Sequence, residues 1–355
     1  MNNDRIQEIL DLMEEARLDY FLISDPQSIA YCTGYYNDPH ERMFVFMISK
    51  HGNHTLFMND LFYLDHDLDV NIVWHKDGQD AIQTIVDEMH FPGRIGIDKN
   101  WASHFLLDLM KKLPDAKYIN ASPCVDLVRM KKDLQEQVLM IESSKINDAV
   151  MEEIIPFIQE GVTEKQLAKK LDELFFKHHS TCYGAIVAFG KNAADPHHEN
   201  DDTLLRKGDC VLIDMGCVYK GYCSDMTRTF FYEGILEEEI KVYEIVKKAN
   251  EAAEAMIKPG VKLSDIDMCA RKVISDEGYG KYFTHRLGHF IGRDVHEYGD
   301  VSSVNEMEVE EGMIFSIEPG IYLEGNFGVR VEDLVMVTKD GCQVLNSFTK
   351  DIYII

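Results

Sequence analysis

Positive charge is what this sequence is short of. Lys and Arg number 36 against 62 Asp and Glu, a formal charge of −26 over 355 residues. That balance argues against binding to nucleic acid or to an anionic membrane surface. Apolar runs are also short, and none approaches the roughly 18 residues that read as a membrane span. The first twenty residues, MNNDRIQEILDLMEEARLDY, have the pattern of a charged amphipathic helix and not of a secretory signal. Eight cysteines are scattered with no CxxC pair. They give no disulfide framework, and reduced thiols in the cytoplasm are expected. No glycine-rich phosphate loop follows a strand pattern, and no short-period repeat or low-complexity tract occurs.

What is present reads as two domains. Residues 1–128 alternate helical and strand patterns: a helix over 5–17, strands at 19–24, 43–49, 54–58, 71–75 and 94–98, helices at 78–90 and 101–112, and a loop-rich stretch at 31–42. Such alternation favours an α/β layer domain. A boundary lies near 126–134. Residues 134–355 read as α+β, with a long helix over 134–158, a helix from Thr163 with Thr-x-x-Gln at 163–166 as a relative of the capping box, and helices at 236–256 and 263–277. Strand patterns fall at 182–189, 211–218, 227–232, 313–318 and 333–337. Helices covering one face of a curved antiparallel sheet are the expected architecture.

The chain is organised around residues 209–233, two apolar strands joined by a short turn. With the hairpin centred between Tyr219 and Lys220, Asp214 faces Asp225. Opposed side chains lie roughly 5 Å apart at Cβ. Two carboxylates that close among apolar strands repel unless a cation sits between them. Downstream, His285, His289 and His296 fall within twelve residues. Glu318 ends a strand pattern, and Arg330 and Glu332 share one face of the alternating segment 328–337. Each residue alone also fits a bland role: a solvated turn carboxylate, a structural histidine, a glutamate paired with Arg330. Together, four carboxylates and one imidazole suit Mn²⁺, Co²⁺ or Zn²⁺, and their charge matches two divalent ions.

Five blocks then carry a resemblance: DMG at 214–216, SDMTRT at 224–229, HRLGHFIGRDVHE at 285–297, EPGIY at 318–322 and GVRVED at 328–333. They resemble the proline (Xaa-Pro) dipeptidases of the metallopeptidase family that also holds aminopeptidase P, methionine aminopeptidase and creatinase. The resemblance implies a C-terminal "pita-bread" catalytic domain over 134–355 behind a smaller creatinase-type α/β domain over 1–128. It implies two divalent ions, Mn²⁺ foremost, held by Asp214, Asp225, His289, Glu318 and Glu332. Glu318 is also expected to shuttle a proton, His296 to steady the tetrahedral intermediate and His197 to act at the scissile nitrogen, with Thr227 supporting the ligands.

The same resemblance implies Xaa-Pro dipeptides as substrates, with His285 and Arg330 in the substrate pocket. Many members carry an arginine just after the His-Glu pair; residues 297–311 contain none. Arg293 is the expected substitute for receiving the proline carboxylate. Phe290 stands where glycine is common and is expected to narrow the pocket. The segment 38–42 resembles an entrance loop, placing Asp38 and His40 near another subunit's site in a homodimer. Aminopeptidase P activity on longer peptides, and a non-catalytic peptide-binding role, are the alternatives.

Overall fold

Alternating strand and helix patterns in the first third of the chain become a mixed sheet with helices on both faces. The structure is a computed structural model that describes residues 1–64, 67–90 and 92–355. It divides into two compact units, Met1–Arg129 and Met130–Ile355.

The first unit runs α1 (Asn3–Glu15), β1 (Tyr20–Ile23), α2 (Pro26–Thr33), β2 (Val45–Ser49), β3 (Thr55–Asn59), β4 (Asn71–His75), α3 (Ala81–Glu88), β5 (Arg94–Ile97), α4 (Ser103–Lys112), β6 (Lys117–Asn120) and α5 (Ser122–Met130). The sheet order is β4-β3-β2-β1-β5-β6. Strands β1, β2 and β3 are buried along their whole length. Their period of two sorts the core into two layers. Phe21, Ile23, Phe46, Ile48, Leu56 and Met58 pack with α1, α2 and α5. Tyr20, Leu22, Val45, Met47 and Phe57 pack with Ile82 and Ile85 of α3 and Leu109 of α4.

Helix α2 has no counterpart in the sequence reading. Its start carries a proper signal: Asp25 caps it by accepting from Ser28 N at 2.8 Å, and Pro26 stands in its first turn. Six of its eight residues, Ser28–Thr33, are buried. It therefore lacks the amphipathic stripe by which a helix announces itself.

In the second unit a pair of helices followed by antiparallel strands occurs twice. The first set is α6 (Leu134–Ile154), α7 (Glu164–Lys177), β7 (Thr181–Cys182), β8 (Ile186–Phe189), β9 (Cys210–Met215), β10 (Cys217–Tyr219), β11 (Tyr222–Cys223) and β12 (Met226–Phe231). The second is α8 (Glu237–Met256), α9 (Leu263–Asp276), β13 (Gly288–His289), β14 (Asp300–Val301), β15 (Ile314–Ile317), β16 (Gly320–Leu323), β17 (Phe327–Arg330), β18 (Asp333–Val337) and β19 (Cys342–Val344). This is the pita-bread-like arrangement. Helix α6 stops four residues short of the expected 158, because Pro156 lacks an N–H and turns 155–157 into a 3₁₀ turn. Helix α7 opens with the Thr163–Gln166 capping box. Val150, Met151 and Ile154 of α6 and Leu167, Leu171 and Phe175 of α7 cover Val187, Val211, Ile213 and Phe230 of the β8-β9-β12 sheet.

The β9–β12 hairpin is shifted by two from its expected pairing. Lys220 and Gly221 both have positive φ (49° and 82°), so the two-residue turn is centred between them. Asp214 consequently faces Thr227, not Asp225. Asp225 precedes β12 and, two residues from Thr227, keeps to the same face. Among the described residues no helix is long and apolar enough to cross a membrane. All eight cysteines are free thiols.

Candidate metal centre and active site

The strand ends of the second unit surround a cavity of about 610 Å³ lined by Asp214, Asp225, His289, Glu318, Arg330 and Glu332, with His197, His285 and His296. Three local devices bring the acids together. Gly216 allows Tyr183 and the Ser224 carbonyl to approach within 2.1 Å of where a Cβ would stand, so Asp225 can lie against the end of β9. Gly288 likewise lets β13 lie on the Ser316 carbonyl, 1.9 Å from its absent Cβ, which carries His289 to the end of β15. The Glu332 N–H donates to the Thr227 carbonyl at 3.1 Å, tying the β17–β18 junction to β12.

His289 Nδ1 lies 3.2 Å from the Phe290 carbonyl, which keeps a proton on Nδ1 and turns Nε2 to the cavity. Nε2 is 3.5 Å from Asp225 Oδ2 and 3.6 Å from Glu318 Oε1. Asp225, His289 and Glu332 each offer a ligand atom within 4.8 Å of the others. Thr227 Oγ1 donates to Glu332 Oε2 at 2.6 Å and accepts from Arg330 Nε at 3.0 Å. Arg330 is 2% exposed. It also donates to Asp214 Oδ2 at 2.6 Å, Tyr322 Oη at 3.1 Å and the Pro196 carbonyl at 3.3 Å.

Four carboxylates thus share one space, with the buried Arg330 guanidinium beside them. Burial pushes the Asp214 carboxyl up to about 6, Arg330 pulling it down and Asp225 adding to the rise. Burial pushes Glu318 up to about 7 against the pull of His289 and Arg330. Glu332 is driven well above the usual carboxylate range by burial and then by Asp225 and Glu318. An unfilled demand for positive charge, met by converging oxygen and imidazole donors, is the chemistry of a divalent-metal site, and the residues fit one.

The histidines divide by surroundings. Burial lowers His285 and His296 to about 4, so both are neutral at neutral pH. His296 stacks edge-on against His289, with ring centroids 4.2 Å apart. His285 Nε2 meets Tyr322 Oη at 2.8 Å.

Not every expected residue reaches the cavity. Arg293 is not among its lining residues: its guanidinium stands 5.4 Å from the Tyr222 ring and against Gly221, and its N–H is held by Glu297. Arg286 lines the wall instead, with a long 4.0 Å approach to Asp300. Phe290 does not narrow the cavity; it is fully buried on Phe315, in space left by the bare Cα of Gly299. Asp38 and His40, expected at another chain's site and not at this one, lie in the first unit, where His40 N donates to Asp38 Oδ1 at 3.0 Å.

Sequence reasoning also passed over Tyr322, Arg286 and Asn346. Tyr322 closes the same EPGIY block as Glu318, and Arg286 adjoins His285, so both had a neighbour to point to them. Asn346, whose Nδ2 donates to the Asp225 carbonyl at 3.2 Å, had none.

Comparison with known proteins agrees with this geometry. Residues 138–339 match the model of metallopeptidase family M24, and residues 5–131 that of the creatinase/prolidase N-terminal domain. An uncharacterised peptidase of Staphylococcus aureus is 34% identical over 98% of this chain and 99% of its own length. The dipeptidase structure from Pyrococcus horikoshii is 35% identical with a TM-score of 0.92, covering 99% of this chain and 100% of that one. The prolidase of Thermococcus sibiricus is 32% identical with a TM-score of 0.94, covering 100% and 99%. The chain belongs to metallopeptidase family M24, and it carries that family's catalytic unit behind a creatinase/prolidase-type N-terminal domain.

Proposed function

We propose that this protein is a dinuclear-metal hydrolase that cleaves the Xaa-Pro bond of dipeptides. The observation that carries the reading is the convergence of Asp214, Asp225, His289, Glu318 and Glu332 on one cavity. Likeness to a dipeptidase and a prolidase supports it. Those five residues would hold the metals, Asp225 and Glu332 among them. Four carboxylates balance two divalent charges, and the mixed oxygen and imidazole set suits Mn²⁺, with Co²⁺ and Zn²⁺ as substitutes. Such ions, when bound, lower the pKa of water and polarise a carbonyl.

The chain's own residues supply the rest. The Glu318 carboxylate holds the proton released when water becomes the nucleophile. His296, neutral, offers an N–H to the oxyanion that develops on the carbonyl. His197 brings a proton to the prolyl nitrogen, which has no N–H of its own in the peptide and leaves poorly without one. Arg330 is committed to Asp214, Thr227, Tyr322 and Pro196, so it fixes the cavity wall. Arg286 replaces Arg293 as the group that meets the substrate carboxylate. A cytoplasmic homodimer, in which Asp38 and His40 reach another chain's cavity, belongs to the same reading.

The test is turnover of Xaa-Pro against Xaa-Pro-Yaa peptides, with the metal content of the same sample measured. Preference for the dipeptide with two ions per chain is expected. Turnover of the longer peptides alone would assign an aminopeptidase P activity instead.

A further inference from the structure

Beside the cavity, Glu164, His198 and Asp201 form a second group of metal-binding residue types. It is a clamp and not an ion site, because its central carboxylate is already saturated. Glu164, the first residue of α7, is fully buried. Its Oε1 accepts from Phe189 N and Asn192 Nδ2, both at 2.9 Å. Its Oε2 lies 2.7 Å from His198 Nε2 and accepts from Asp201 N at 3.0 Å. A carboxylate has about four lone-pair sites, and four N–H groups occupy them here. His198 must carry its proton on Nε2 to face this acceptor, which fixes its ring.

The consequence lies one residue away. His197 lines the cavity. Its segment is held on the outer side by Glu164 and His198, and on the inner side by the Pro196 carbonyl accepting from Arg330 at 3.3 Å. Asp195 braces the turn, accepting from His197 N at 3.0 Å. We infer that His198 and Glu164 are positioning residues that hold the His197 imidazole at the point where it meets the leaving nitrogen. This rests on the functional reading given for His197. A buried carboxylate fully satisfied by one loop makes that loop rigid, and a rigid loop is what an acid needs to meet one nitrogen repeatedly.

The test is a mutant cycle on the metal-loaded enzyme with an Xaa-Pro dipeptide. His198→Ala should lower kcat about ten- to a hundredfold, with KM and metal content unchanged. His198→Asn, which retains an N–H donor, should recover most of the loss. In a His197→Ala background, His198→Ala should add no further loss, because its effect passes through His197. An equal loss in both backgrounds, or a drop in metal content, would overturn the inference. A second measurement needs no turnover: NMR line shapes of the His197 ring in the metal-free protein. His198→Ala should let the His197 ring sample several orientations and broaden its ring signals. Unchanged His197 signals would also overturn the clamp. If the wild-type enzyme cleaves no Xaa-Pro peptide, the functional reading fails while the NMR line shapes still decide the positioning role.

Discussion

The six-stranded sheet of the first unit and the strand ends around the cavity of the second are both made of buried residues, but of opposite chemistry. Strands β1, β2 and β3 bury mainly phenylalanine, leucine, isoleucine, valine and methionine. Removing those side chains from water stabilises the fold by roughly 25 cal/mol per Å². Around the cavity, Asp225, Arg330 and Glu332 are buried and Asp214 and Glu318 partly so. Burial there costs free energy unless a counter-charge offsets it. The sheet is stabilised by what it buries, while the acidic lining of the cavity depends on the counter-charge that meets it.

Five substitutions can break or sharpen that contrast. Asp225→Ala should abolish both metal binding and turnover, a loss of at least about a thousandfold; unchanged metal content in the variant would contradict the ligand assignment. Phe46→Ala, in the apolar sheet, should cost about 3–5 kcal/mol of stability while leaving metal stoichiometry intact, read by denaturant melts and metal analysis. Thr227→Val removes the hydroxyl between Glu332 and Arg330, and should weaken metal affinity about ten- to a hundredfold in a competition titration. Arg286→Ala should raise KM for Xaa-Pro dipeptides more than for tripeptides, whereas Arg293→Ala, on the Tyr222 ring, should change both by less than about twofold.

The same contrast explains what could be read from the sequence. Residues that hold metals stand in short blocks with fixed spacing, and alternation alone put Arg330 and Glu332 on one face. Both line the cavity, while Val329 and Val331 are fully buried. The capping box of α7 was legible because both halves lie within four residues. The hairpin register was not, because it turned on Lys220, a non-glycine residue, adopting positive φ. Helix α2 was hidden by its burial, and Asn346 by its separation of 121 positions from Asp225. The misplacement of Arg293 has a similar origin. Sequence proximity to His296 does not fix where a side chain points, and the Glu297 carboxylate holds its N–H while the guanidinium stands by Tyr222.

The most direct measurement is Mn²⁺ titration of metal-free protein at pH 5 and pH 7.5, following stoichiometry and melting temperature together. Asp214 and Glu318 have folded values raised to about 6 and about 7, above their ordinary 3.8 and 4.5. Their contribution to the metal-free fold is therefore fully present below the ordinary values and lost as pH rises through the folded ones. Two ions per chain are expected at pH 7.5, with a larger rise in melting temperature there than at pH 5, where protons compete for the same oxygens. No binding at pH 7.5, or equal stabilisation at both pH values, would contradict the claim that these buried carboxylates are held together by cations.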